Sequence, residues 1–415
     1  MRKLSFWQAS AIGLGNIIGA GIFVLAGSAI RESGPSALIA FLITASLASS
    51  VGLNSAELSS KISDVQGGVY SFARYALGDT MGFIVGWFRM ISYAISGSAV
   101  ALGFSGYFVS VGFPDSYSLH LSVLLIVILS YVEIRGVKMA ARAEEILVLV
   151  NLVGLAVFIG YVLSVSRISV GDFKPIFPYG LTGLLRAANI GFFAYSGFNT
   201  IATLTPDVEN GDRVVPKSII FSIVVSTTLY FLILFSMLIA MNWSEYRGVA
   251  NPLSLALTKL SAPSPITLTV AFSALTATLT VTLSLIIAGS RTTKQMGRDG
   301  LLPSFFNRDE SIPTIVISGI MIVFLAIGDV KTIALIANFG VIFSYMLSGL
   351  EVIILRRKGV IGQFSSPGYP YIQIVSMLLS ILLITNLGFL SIKIGIFTLI
   401  IGLIIHFIHK SLRVR

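Results

Sequence analysis

An apolar stretch near the start of the chain is broken by glycines, Gly13-Leu-Gly-Asn-Ile-Ile-Gly-Ala-Gly-Ile-Phe23, and a second broken stretch, Phe192-Phe-Ala-Tyr-Ser-Gly-Phe198, stands in the second half. In hydrocarbon no water satisfies the N–H and C=O groups that a helix break releases, and each costs several kcal/mol. Such breaks survive only where they line a cavity or meet a ligand. Two of them in corresponding positions of two halves point to a small-molecule site between those halves.

The composition makes hydrocarbon the relevant solvent. Of 415 residues, 55% are hydrophobic and only 11% charged, the profile of a polytopic membrane protein rather than of a soluble domain. The net charge of +10 raises nucleic-acid binding as a question, but the longest basic run is Arg356-Arg-Lys358 and the cations lie between apolar stretches. That is the distribution of cytoplasmic loops, so no nucleic-acid partner is expected. With no cysteine and only His120, His406 and His409, neither a thiolate cluster nor a histidine metal site is expected. Met1-Arg-Lys3 runs directly into an apolar segment, so no cleavable signal peptide is expected.

Apolar runs separated by charged or Pro/Gly-rich breaks predict twelve spans, at 9–31, 36–60, 80–111, 118–136, 144–166, 184–206, 217–241, 264–297, 313–329, 332–356, 371–389 and 391–409. The glycine-broken segments fall in the first and sixth. The simplest parse is an inverted repeat of five plus five spans, residues 1–166 and 184–356, with two spans appended at 371–409. Most Lys and Arg, among them Arg135, Lys138, Arg142, Arg213, Lys217, Arg291, Lys294, Arg298 and the 356–358 cluster, fall on one side. Both termini are therefore expected in the cytoplasm, with the chain multi-pass in the cell membrane.

Six ordered motifs carry a family resemblance through nearly the whole chain. They are Gly19-Ala-Gly-Ile-Phe23; Ala56-Glu-Leu58 with Gly67-Gly68-Val-Tyr70; Ile134-Arg-Gly-Val-Lys138; Phe192–Phe198 followed by Asp207-Val-Glu-Asn210 and Pro216; Gly297-Arg-Asp-Gly-Leu-Leu-Pro303; and Pro367-Gly-Tyr-Pro370. In these the sequence resembles the amino acid–polyamine–organocation transporters. The resemblance implies an all-α leucine-transporter-like fold in which spans one and six unwind at mid-membrane. It also implies alternating access and substrate recognition through backbone. Ala20, Gly21 and Ile22 would then offer donors to a carboxylate at a half-helix N-terminus, Ile17 and the Phe193–Ser196 stretch, with Ala194, would offer carbonyls to an ammonium, and Gly15, Gly19, Gly21 and Gly197 would give the substrate-binding segments close approach and hinge freedom. Phe193 matches the family's aromatic gate.

The residues themselves narrow the cargo. A cationic side chain would need a membrane-embedded carboxylate, since an unpaired charge at that depth costs at least about 2.5 kcal/mol. No acid lies between Arg89 and Pro114, so arginine, lysine and polyamines are disfavoured. Tyr93, Ser96, Ser98 and Phe104 predict a small, mostly apolar wall suited to a neutral amino acid. Arg89 is the exception, a cation about ten residues and roughly 15 Å into the third span. Pairing with Glu57, Glu351 or Glu133 would make it a structural lock, and an acidic amino acid is the alternative that keeps it free.

Coupling is the point of departure from the family. Many proton-coupled members carry a lysine midway along the fifth span, where this chain has Asn151, which does not titrate. For sodium, Thr280 supplies one hard oxygen and Val281 stands where a second is expected, a place the Asn151 carbonyl would have to fill. Asn151, Thr280 and Arg89 are thus the candidates for coupling to H+ or Na+, with ion-free exchange also open and an interhelical hydrogen bond the plainer role for Asn151. No other cofactor is expected. Gly103-Phe-Ser-Gly106 fits an intramembrane serine protease pattern only by a four-residue match without a placed histidine, so no enzyme is expected. No charged ring marks a channel, whereas a sensor on the same fold would carry the same glycines. Partners are the bilayer and a small amino acid, with the chain a monomer or weak homodimer.

Overall fold

The computed structural model describes residues 3–62, 68–136, 141–246, 248–309 and 311–414. Gly67 and Lys138 lie outside these residues, as do the side chains of Ala20 and Arg142. The described residues are helical, with a single isolated bridge, Leu4 to Val208. In order they form α1 (Phe6–Ile17), α2 (Ala20–Ser33), α3 (Ala37–Lys61), α4 (Val69–Leu77), α5 (Asp79–Ser110), α6 (Ser118–Ile134), α7 (Ala141–Val165) and α8 (Gly180–Tyr195). A 3-10 segment, Ser196–Asp207, then leads to α9 (Gly211–Ala240), α10 (Pro252–Lys259), α11 (Ser264–Arg298), α12 (Phe305–Arg308), α13 (Ser311–Leu325), α14 (Val330–Arg357), α15 (Tyr371–Thr385) and α16 (Phe389–Val414).

Each of the twelve predicted stretches is occupied by helix. Eight stretches among the described residues are long and apolar enough to cross a membrane, the first of them, Gly21–Lys61, containing both α2 and α3. Shorter apolar helices occupy Ser311–Leu325 and Tyr371–Thr385. Their surfaces are arranged for lipid. Leu124 and Ile128 on α6, Ile146 and Leu149 on α7, Leu378 on α15 and Phe397 and Ile404 on α16 point outward, while Asn54, Ser96, Asn189 and Asn338 are buried. In water so much exposed apolar surface is an aggregation liability; against acyl chains it costs nothing.

Two interior helices organise the bundle. The long α5 packs against α11, α14, α13 and α6, and α3 packs against α8 and α9. Where α3, α14 and the chain before α15 converge, Glu57 accepts two bonds from Arg356 (2.8 and 2.7 Å), two from Ser366 (2.8 Å from its N–H, 2.6 Å from its hydroxyl), and pairs with Lys61 at 2.9 Å. A carboxylate this buried persists because every lone pair is met by a donor, two of them charged. The short α4 is tied to the end of α11 by Tyr70, which donates to Asp299 (2.8 Å), and by the Arg74–Asp299 pair at 2.9 Å. Burial, reinforced by the Asp299 carboxylate, raises the Tyr70 phenol above its usual range.

Candidate functional site

The first break is short. A capping box between Ser5 and Gln8 starts α1, which ends at Ile17; Ile18 N–H still donates to Leu14 O at 2.6 Å, and α2 begins at Ala20 with Gly19 as its N-cap. A glycine cap has no side chain, so the first N–H groups of α2 keep no side-chain partner from it. The second interruption differs from the expected unwinding: the backbone stays α-helical through Tyr195 and tightens into 3-10 form at Ser196. Each altered winding leaves carbonyls outside the regular ladder.

Side chains from distant helices and from the 3-10 segment itself take up carbonyls around the breaks. The Tyr230 hydroxyl on α9 lies 2.5 Å from Ile17 O and 3.1 Å from Ala194 O, one phenol joining both breaks. Tyr345 on α14 donates to Ser196 O at 2.9 Å, Ser196 Oγ donates to Phe193 O at 2.9 Å, and Thr200 donates to Gly197 O at 2.8 Å. A carbonyl oxygen carries two lone pairs, and Phe193 O, which also accepts the Ser196 N–H, has both engaged. Sequence reading missed Tyr230 and Tyr345; a tyrosine within an apolar run is their only signal, and nothing local says which carbonyl it meets.

The two breaks face one cavity of about 50 Å³. Asn16, Ile17 and Gly21 line it from the first break, and Phe193, Ala194, Ser196, Gly197 and Thr200 from the second. Helix α5 contributes Arg89, Tyr93, Ser96 and Val100, and Val281, Ser284, Leu285, Ala288 and Val341 close it from α11 and α14. The glycines permit this approach. A Cβ at Gly21 would lie 2.3 Å from Ala194 Cα, and one at Gly197 would lie 2.1 Å from Asn16 O. Phe193, 8% exposed, sits in the wall.

Several predicted residues fall elsewhere. Gly19 and Ile22 are not in the lining; Gly19 lets α11 approach, since a Cβ there would meet Val281 Cγ2 at 2.2 Å, and Ile22 is fully buried. Ser98 faces α13, donating to Met321 O at 2.7 Å, and Phe104 packs on Phe108, so neither forms part of the wall. Thr280 donates into its own helix, to Thr276 O and Ala277 O at 3.0 Å. Asn151 with its amide nitrogen toward α11 donates to Thr276 Oγ1 (2.9 Å), Ser273 O (3.0 Å) and Leu147 O (3.2 Å). In that orientation the amide links α7 to α11.

The acidic lock on Arg89 does not form among the described residues. Glu57 is committed to Arg356, Lys61 and Ser366; Glu133 faces Ser290 at 3.5 Å; and the Glu351 carboxyl is buried without a hydrogen-bond partner. Arg89 is instead held by aromatics. Its Nη2 donates to Tyr93 at 2.6 Å, and its guanidinium carbon lies 4.4 Å from the Tyr93 ring centre and 5.3 Å from that of Tyr345. Cation–π contact and one phenol oxygen substitute for a carboxylate.

The sequence model of a family described as amino acid permease matches residues 4–409. This chain belongs to the amino acid permease family. The permease is 29% identical to the branched-chain amino acid permease BcaP of Bacillus subtilis (strain 168), over 99% of its own length and 93% of that protein's. It is 30% identical to the methylthioribose transporter of the same organism, over 90% and 86% of the two chains. To the vacuolar cationic amino acid transporter 4 of Arabidopsis thaliana it is 28% identical, over 86% of the permease and 63% of that protein. The three names cover unlike cargoes, so likeness at this level carries a scaffold and leaves the cargo to the cavity wall.

Proposed function

We propose that the permease is a secondary transporter that moves an amino acid across the cytoplasmic membrane by alternating access. The observation that carries this reading is that residues flanking two helix interruptions, Ile17 and Gly21 at the first and Ala194 and Ser196 at the second, line one cavity. In the proposed cycle the N–H groups at the start of α2, from Ala20 to Ile22, hold the substrate carboxylate with the help of the helix dipole. The carbonyls of Ile17 and of the Phe193–Ser196 stretch hold the ammonium, and Phe193 closes over the bound molecule. The architecture proposed around this site is twelve spans, both termini cytoplasmic, with residues 1–166 and 184–356 as inverted repeats and 371–409 appended. A four-span bundle rocks against its scaffold to open the site inward.

No carboxylate among the described residues lines the cavity, which disfavours a cationic side chain. Val100, Val281, Leu285 and Val341 support a neutral one, in line with the printed name of the Bacillus BcaP relative. Arg89 in the same wall favours the acidic alternative. Coupling to H+ or Na+, or exchange without an ion, is read by the same experiment. Purified permease in liposomes is offered radiolabelled amino acids under a proton gradient, a sodium gradient or counterflow alone. Flux of an amino acid under any of the three supports the permease reading; binding without flux identifies a sensor, and neither binding nor flux overturns it.

A further inference from the structure

We infer that Arg89 is a specificity-determining residue which pairs with a second anionic group on the substrate, so that the cargo is a dicarboxylic amino acid. This deepens the permease reading and rests on it. Two arginines at helix junctions pair with acids: Arg356 grips Glu57 through two bonds, and Arg74 reaches Asp79 and Asp299 at 2.8 and 2.9 Å, while Arg135, which donates to Tyr131 at 2.9 Å, is exposed. Arg89 is treated differently. It is 4% exposed, lines the cavity, makes no ion pair among the described residues and leaves its buried Nε without a partner. A guanidinium in that state carries the cost of desolvation without the compensation of a counter-ion. A ligand carboxylate entering the cavity supplies both the charge and the acceptor, in the planar two-point geometry that guanidinium suits.

A second arginine is dressed in the same way. Arg31 donates to Tyr179 at 2.5 Å, lies 5.8 Å from the Tyr179 and Trp243 ring centres, and also leaves Nε without a partner. It lines a second, wider cavity of about 380 Å³. There Glu32 is engaged by Lys331 (2.8 Å) and faces Arg186 (3.8 Å), and Asp329 caps Thr332, so the acids among the described lining residues have partners other than Arg31. Helix α2 contributes to both cavities, with Gly21 in one and Arg31 in the other ten residues on, about 15 Å along the axis. Each cavity thus holds a guanidinium with aromatic contacts and a phenol in place of an acid partner. A dicarboxylic amino acid places one carboxylate on α2 and the other on Arg89, and its net negative charge neutralises the arginine.

The test compares L-glutamate and L-aspartate with the near-isosteric L-glutamine and with L-leucine, by counterflow into liposomes holding the intact permease. The expected result is transport of the dicarboxylates with half-saturation at least about 30-fold lower than that of glutamine. Arg89→Gln is expected to erase that preference while leaving the glutamine value within threefold. Tyr93→Phe, which keeps the charge and removes one bond, shifts glutamate in the same direction by less. Thermal stabilisation of the purified permease by glutamate but not by sodium chloride of equal ionic strength gives a readout independent of flux. Transport of leucine or glutamine in preference to glutamate overturns this assignment and leaves the permease reading standing, as does an equal loss of all substrates in Arg89→Gln or equal stabilisation by chloride. Failure of every amino acid to move or bind overturns both.

Discussion

Gly197 lies so close to Asn16 that an added methyl group would sit 2.1 Å from the Asn16 carbonyl oxygen. The contact is backbone against backbone, so no side-chain rotation relieves it. With the Gly21–Ala194 contact, it brings α1 and α2 against α8 and the 3-10 segment around the cavity. Gly197→Ala and Gly21→Leu are expected to abolish substrate binding while leaving the protein inserted in the membrane. Scintillation proximity binding on purified protein checks this, and retained affinity in Gly21→Leu removes these breaks from the site.

Tyr230→Phe removes the one hydroxyl shared by Ile17 O and Ala194 O. Both carbonyls are buried, and loss of a partner there costs about 1–3 kcal/mol. A lower melting temperature in detergent and weaker substrate affinity are expected together, because the same oxygens are assigned to the substrate ammonium. A variant that melts earlier but binds normally limits Tyr230 to stability.

The Glu57 network predicts a contrast in magnitude. Arg356→Ala leaves the fully buried Glu57 with Lys61 as its remaining cation, and breaking a buried pair this way typically costs about 3–5 kcal/mol. The exposed Lys259–Glu245 pair is equally short, at 2.6 Å, yet Lys259→Ala should cost less than about 1 kcal/mol because water screens it. Paired thermal denaturation of the two variants decides whether burial or distance sets the value.

Asn151→Leu tests the interhelical role. It removes the amide bonds from α7 to Thr276 and Ser273 on α11, at roughly 1 kcal/mol. A lower melting temperature with an unchanged response to proton and sodium gradients is expected; a changed response would return Asn151 to the coupling machinery.

The residue pattern alone determined the solvent, the helix positions and the places where helices break. Hydropathy over a 20-residue window and the conformational freedom of glycine are local properties, so 9–31 and 184–206 were legible as interrupted segments before any contact was known. Their meeting at one cavity follows only from tertiary structure. Nothing near Tyr230 in the sequence announces Ile17 O as its acceptor, and nothing near Arg89 says whether an acid 32 residues before it, Glu57, is free or already held by Arg356. Ser98 and Phe104 were misplaced for the same reason: on an interior helix such as α5, apolar and small residues occur on every face, and only the packing of α13 and α11 decides which face is left open. Hydrophobicity tells a span from a loop because lipid is the same on all sides, whereas the site depends on which neighbour fills each direction.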